Sequence, residues 1–274
     1  MRVGPQPRES SGGRRASVDG RPAPALRGRV LAYTGYRETA PTPVRRRETP
    51  AGELILILGF GKAHHAQPAP DAHDLRPFTS FVAGFHDRPT LTGHDGGQFG
   101  LQVRLDPLGA FTLFGVPAHE LSNRIVALSD LFGAAAEHWT ERLADLRSWP
   151  ARFALLDALL AERIAAGPVP SPEVASAWQA MRRVHGAVRI AELATRTGRS
   201  DRFLAARFRQ QIGTTPKNAA RVLRYEHAAR LLARGDLPPA QVAVACGYAD
   251  QAHLTREFTR FAATTPAVVR RWAA

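Results

Sequence analysis

Cys246 to Phe258 reads CGYADQAHLTREF. The apolar positions around it recur at helical spacing, yet a glycine and a small polar turn interrupt them, and a capping aspartate follows at once. Thr197 to Phe208, TGRSDRFLAARF, does the same some fifty positions earlier. Aligned, Ala191, Leu193, Ala194 and Gly198 match Ala240, Val242, Ala243 and Gly247. One residue further out of register, Ser200, Leu204, Phe208, Thr214, Thr215 and Pro216 match Asp250, Leu254, Phe258, Thr264, Thr265 and Pro266. The slip falls in the turn, where an insertion disturbs least. The same unit occurs twice.

Its chemistry is that of two short helices crossing at a tight corner. A small residue is needed where they touch, Ala194 or Ala243. The turn takes a residue that tolerates positive φ, Gly198 or Gly247. An apolar stripe, Leu204 with Phe208 or Leu254 with Phe258, holds the second helix down. At 100° per residue, Arg202, Ala205, Ala206 and Arg209 lie opposite the first stripe. Ala252, Thr255, Arg256 and Thr259 lie opposite the second, with His253 and Arg260 flanking. Such a face suits a major groove: arginine can pair with guanine in two places, and methyl groups meet thymine methyls. Arg199, Lys217, His253 and Arg260 sit where phosphate contacts are expected. The plain alternative is a pair of packed helices with solvated arginines.

Charge favours the groove. The net charge is +13. Residues 1–47 carry 11 arginines and 3 acids, residues 48–169 are net −5, and residues 170–274 are net +10. An arginine-rich composition could raise the total, but a negative middle between basic ends points to a segment suited to a polyanion.

The stretches IAELATRTGRSDRFLAARFRQQIGTTP, VLRYEHAARLL and CGYADQAHLTREFTRFAATTP resemble the DNA-binding domain of AraC/XylS-type bacterial transcription regulators. The resemblance covers roughly residues 172–272. It implies two helix-turn-helix units joined by one helix, with recognition helices in successive major grooves. It places Arg202 and Ala206 at base-reading positions of the first unit, and Ala252 and Arg256 at those of the second. Ala205 and Ala206 stand where the family often has larger polar residues, so few bases are expected to be read there directly. A weaker resemblance, carried by GGQFGLQVRLDPLGAFTLFGVPAHEL and ALSDLFG, links the preceding part to an AraC-like regulatory domain.

The remaining expectations complete the fold. Residues 1–26 read as a disordered basic tail. Residues 27–166 read as an α+β sensor or dimerisation domain, a small sheet or barrel followed by helices. ELILILGF, TSFVAGF and QFGLQVRL look like strands, and GHDGG, at 93–97, like a turn. SDLFGAAAEHWTERLADL reads as one helix capped by Ser129, with Leu131, Trp139, Leu143 and Leu146 inward. The next is capped by Ser148, with Phe153, Leu156, Leu160 and Ile164 inward. GPVPSP, at 167–172, is the expected boundary. Residues 171–274 read as all-α, with helix-turn-helix units near 189–212 and 239–262.

No cofactor, metal or catalytic residue is expected. His64, His65, His73, His86, His94 and His119 invite a metal-site reading, but neighbours on a strand face opposite ways, and surface or loop histidines are expected instead. Cys246, the single cysteine, reads as a small buried residue rather than a nucleophile. Arg45 to Arg47 read as a solvated basic turn. The rival functional class is a metal- or ligand-dependent, enzyme-like front domain targeted to DNA by the C-terminal half. Expected partners are promoter or operator DNA, then RNA polymerase, a small-molecule effector and a second copy of the chain. No membrane partner is expected, and the cytoplasm is the expected compartment.

Overall fold

The structure, a computed structural model, describes residues 13–69 and 72–271; the side chains of Ala194 and Arg196 lie outside the described residues. The chain runs through eight strands: β1 Arg14–Gly20, β2 Val30–Glu48, β3 Leu54–Gly59, β4 His64–Ala66, β5 Arg76–Phe78, β6 Phe81–Ala83, β7 Thr90–Leu105 and β8 Ile125–Ala127. They form one antiparallel sheet in the order β1-β2-β7-β3-β6-β8, with β4 pairing β5 and β7. In β3, Leu54, Leu56 and Leu58 face the main core while Ile57 faces a smaller cluster with Ala66, Phe81 and Ile125. Both faces of this strand are therefore covered, which is why LILIL reads as a continuous apolar run.

Three expectations need correction. Arg14–Gly20, inside the stretch read as a disordered tail, is an edge strand paired with Tyr33–Thr39. Residues 1–12 lie outside the described residues. GHDGG is not a turn but the middle of β7. Opposite it, the register on β2 shifts between Thr39 and Pro43, so most of the bulge sits on the partner strand; Gly93 and Gly97 continue the ladder, and Gly96, with φ of 91°, faces the bulge. Ser129 is not a cap. The helix starts on Ala127, breaks at Gly133 and restarts, giving α2 Leu128–Phe132 and α3 Ala134–Asp145.

The other helices are α1 Pro107–Phe114, α4 Trp149–Ala166, α5 Pro172–Arg183, α6 Ile190–Thr197, α7 Asp201–Ile212, α8 Pro216–Arg234, α9 Pro239–Ala245, α10 Gln251–Ala262 and α11 Pro266–Arg271. Ser148 caps α4 by accepting from Ala151 N–H. Leu156, Leu160 and Ile164 are buried along α4, and Phe153 packs half-buried against Tyr33. Asp157 on the same helix accepts from Tyr33 Oη at 2.8 Å and from Ala23 N–H at 2.9 Å, tying α4 to the sheet.

GPVPSP joins α4 to α5, but the core does not stop there. The main cluster of buried apolar residues is continuous from Leu26 through the sheet to Val269. Side chains cross the joint as well. Asp106, the N-cap of α1, accepts from Trp178 Nε1 at 2.9 Å and Arg182 Nη1 at 2.7 Å on α5. Glu226 on α8 accepts from Gly52 N–H at 3.1 Å. At Gly167, a Cβ would collide with the carbonyl oxygen of Thr112. No helix among the described residues is long and apolar enough to cross a membrane.

Candidate nucleic-acid interface

The two repeats fold alike because their sequences solve the same local problems. Gly198 and Gly247 adopt φ of 64° and 70°, in the left-handed region where a side chain is strained. Ser200 Oγ then accepts from Phe203 N–H at 3.2 Å, and Asp250 Oδ1 from His253 N–H at 2.5 Å. These caps start α7 and α10 immediately after the turns. Leu204 and Phe208, like Leu254 and Phe258, are fully buried. Ala243 is buried at its corner; the side chain of Ala194 lies outside the described residues.

Between the repeats runs α8, capped by Thr215 with Pro216 at its start and closed by Gly235. Tyr225 on α8 meets Phe258 edge-on with ring centres 4.9 Å apart. Arg221 on α8 forks onto buried Glu257 of α10 at 2.5 and 3.0 Å. That hydrogen bonding raises the Arg221 pKa above its ordinary value, so the guanidinium stays charged, and the fork pins α10 in place. Trp178 on α5 packs edge-on against Phe208, ring centres 6.3 Å apart, and anchors the first unit.

Partnership separates the arginines into two groups. Arg182, Arg199 and Arg221 are bound to Asp106, Glu173 and Glu257. Arg260 lies 3.6 Å from Asp87. By contrast, Arg202 and Arg209 on α7, Arg256 on α10 and Lys217 on α8 are exposed and have no ion-pair partner among the described residues. The free cations on α7 and α10 lie on the sides opposite Leu204 and Phe208, and Leu254 and Phe258.

Ala206, Ala252 and Thr259 are exposed on the same faces, and Thr255 is half-buried. The hydroxyls of Thr255 and Thr259 donate to the carbonyls of Gln251 and Thr255. Their hydroxyl protons are thus engaged within the helix, which leaves each side chain a methyl and an oxygen that can still accept. His253 packs edge-on against Tyr248 and is half-buried. Arg199 reaches a phosphate only by leaving Glu173, at 2.8 Å.

The histidines of the front half do not converge as metal ligands: among the described residues no three His, Cys, Asp or Glu side chains gather to hold an ion. Their placement still corrects the expectation of surface or loop positions. His64 and His94 are buried strand residues. His64 Nε2 pairs with Tyr36 Oη at 3.2 Å, and His94 lies 3.7 Å from Glu38. His65, facing the other way, pairs with Asp95. Arg45 and Arg46 are held by Asp95 and Glu38 on the sheet rather than forming a solvated turn. Cys246 is buried at the end of α9, and burial pushes its thiol up to about 11.

A family model described as "Helix-turn-helix domain" matches residues 193–271. This region is a helix-turn-helix domain. The chain is therefore a DNA-binding transcription regulator with a β-rich domain ahead of the reader. Among solved structures, a single-residue variant of apo ToxT from Vibrio cholerae is similar over 88% of this chain and 98% of its own, at 7% identity and a TM-score of 0.50. That likeness is one of fold, and it extends through both halves. The C-terminal domain of AraT from Geobacillus stearothermophilus is 25% identical over 37% of this chain and 86% of its own, TM-score 0.35. An AraC-type regulator from Chromobacterium violaceum is 26% identical over 38% of this chain and 93% of its own, TM-score 0.35. No curated protein matches the chain.

Proposed function

We propose that α7 and α10 read bases in two major grooves of one operator, and that the front domain regulates this reading without catalysing a reaction. The observation that carries it is the set of unpartnered cations. Arg202 and Arg209 on one recognition helix and Arg256 on the other are exposed and have no ion-pair partner among the described residues, while nearby arginines are tied down. Holding a guanidinium free on a helix otherwise pinned by its neighbours gives it one fixed place from which to meet guanine. Ala206, Ala252, Thr255 and Thr259 add apolar contacts. Lys217, with His253 and, once released, Arg199 and Arg260, anchors the backbone.

Selection of bound duplexes from a randomised pool, followed by footprinting, tests the assignment. Arg256→Ala should weaken binding to the selected duplex by about 1–3 kcal/mol and relax specificity at one position. Protection equal to the wild type would refute the role of Arg256. Affinity should also fall steeply with salt as phosphates release their counterions. The front domain is read as the regulatory module, with a small-molecule effector, self-association and polymerase contact as its candidate means. The reader operates in the cytoplasm on this account.

A further inference from the structure

The segment between β6 and β7 reaches the far end of the second recognition helix. Asp87 Oδ2 accepts from Asn218 Nδ2 at 2.9 Å, and Arg260 Nη2 lies 3.6 Å from the same oxygen. Asn218 stands in the first turn of α8, three residues after its cap. The segment is held in place: Asp87 N–H donates to Asn123 Oδ1, Asn123 N–H to Phe85 O, and Ser122 Oγ to Phe85 O. Beside it, the 3₁₀ turn Ala118–Glu120 lies against the end of α7, where a Cβ on Gly213 would stand 2.9 Å from Ala118 O.

Asp87 is incompletely satisfied there. Its Oδ1 is buried without a hydrogen-bond partner among the described residues, and the Arg88 Nε is 3.8 Å away. Leaving a carboxylate oxygen in that state costs stability. The groups around Oδ2, an amide N–H, a guanidinium and the first turn of a long helix, are those that bind a phosphate. Arg260 also lies one turn beyond Arg256 on the same side of α10. A DNA strand seated along that helix would bring its phosphate to the position the carboxylate occupies.

We infer that Asp87 competes, within the molecule, with the DNA backbone for Arg260 and Asn218. The docked front domain holds both groups, and full engagement of α10 requires Asp87 to release them. Any event that displaces residues 84–87 then tightens DNA binding, and DNA binding loosens this contact by the same factor. The inference rests on the DNA-reading role of α10. A strut that only fastens the two domains predicts a different outcome: lost stability with unchanged DNA affinity.

The test uses the full chain, a labelled duplex recovered by the selection above, and a mixed-sequence duplex of equal length. Asp87→Ala should bind both duplexes roughly three- to tenfold more tightly, with Asp87→Asn between it and the wild type. In an Arg260→Ala background, Asp87→Ala should gain little. Equal or weaker binding by Asp87→Ala and Asp87→Asn, with the folded fraction unchanged by circular dichroism, overturns the inference. So does a full gain in the Arg260→Ala background, which would assign the effect to lost negative charge alone. If no duplex is bound by any form, the DNA-reading assignment fails, and the inference with it.

Discussion

Asp106 joins three elements through one carboxylate, and removing it makes the coupling of the two halves measurable. Oδ1 accepts from Leu108 N–H at 3.0 Å as the cap of α1, while Oδ2 accepts from Trp178 Nε1 and Arg182 Nη1 on α5. Asp106→Ala removes a cap worth about 1 kcal/mol. It also leaves the N–H of Trp178, 1% exposed, without an acceptor, for about 1–3 kcal/mol more. Arg182 is 43% exposed, so solvent screens its pair and adds little. The expected loss is about 3 kcal/mol, lowering the melting midpoint by roughly 6–12 °C for a chain of this size. Asp106→Asn keeps an acceptor and should lose about 1–2 kcal/mol. Urea titration followed by tryptophan fluorescence, with calorimetry beside it, reads both. The Asp106→Ala transition should also broaden or split, because the deleted bonds cross the joint between the domains. A loss below about 1 kcal/mol, or equal damage from Ala and Asn, would refute the reasoning.

Acid should destabilise the fold in a defined window. Burial, then repulsion from His94, depresses His64 to about 4, and burial, then His185, does the same to His227. Unfolded histidines protonate near 6.5, so between these values the unfolded chain holds more protons and stability falls as pH drops. His64→Gln should flatten part of that slope, and a melting midpoint unchanged between pH 6.5 and 4 would contradict it. Glu257→Gln weakens the fork from Arg221 and should lower stability by about 2–3 kcal/mol, with reduced footprinting at the second half-site. Undiminished protection there would count against pinning of α10. Cys246 should resist disulfide-exchange reagents at pH 8 until the protein unfolds; immediate stoichiometric labelling would contradict its burial.

The C-terminal half was legible because each local requirement leaves a residue behind: Gly198 and Gly247 at the turns, Ser200 and Asp250 as caps, Leu204, Phe208, Leu254 and Phe258 beneath. The front half was less so. β2 carries RETAPTPVRRRE, whose prolines and charges look like a loop. It is a strand because a bulge absorbs Ala40–Thr42 and because Glu38 and Asp95 hold the arginines. β1 has no apolar alternation, since its residues are almost all exposed along an edge. On the interface, sequence pattern separated the outward arginines from the buried stripe. It could not separate Arg256, which has no ion-pair partner among the described residues, from Arg199 and Arg260, which are engaged. Their partners, Glu173 and Asp87, are distant acids that nothing in the sequence distinguishes from solvated ones.

Gly167 gives the joint its character. With Thr112 O packed where any side chain would stand, the stretch of chain from α4 to α5 is a seam and not a tether. The front domain therefore cannot be exchanged like a module on a string. A chimaera that grafts another sensor onto α5 would have to bring its own acids for Trp178, Arg182 and Asn218, and its own flat patch for this glycine. Without them it would orphan the buried N–H of Trp178 and free the half-exposed Arg182 and Asn218, so inheritance of the two halves should proceed together.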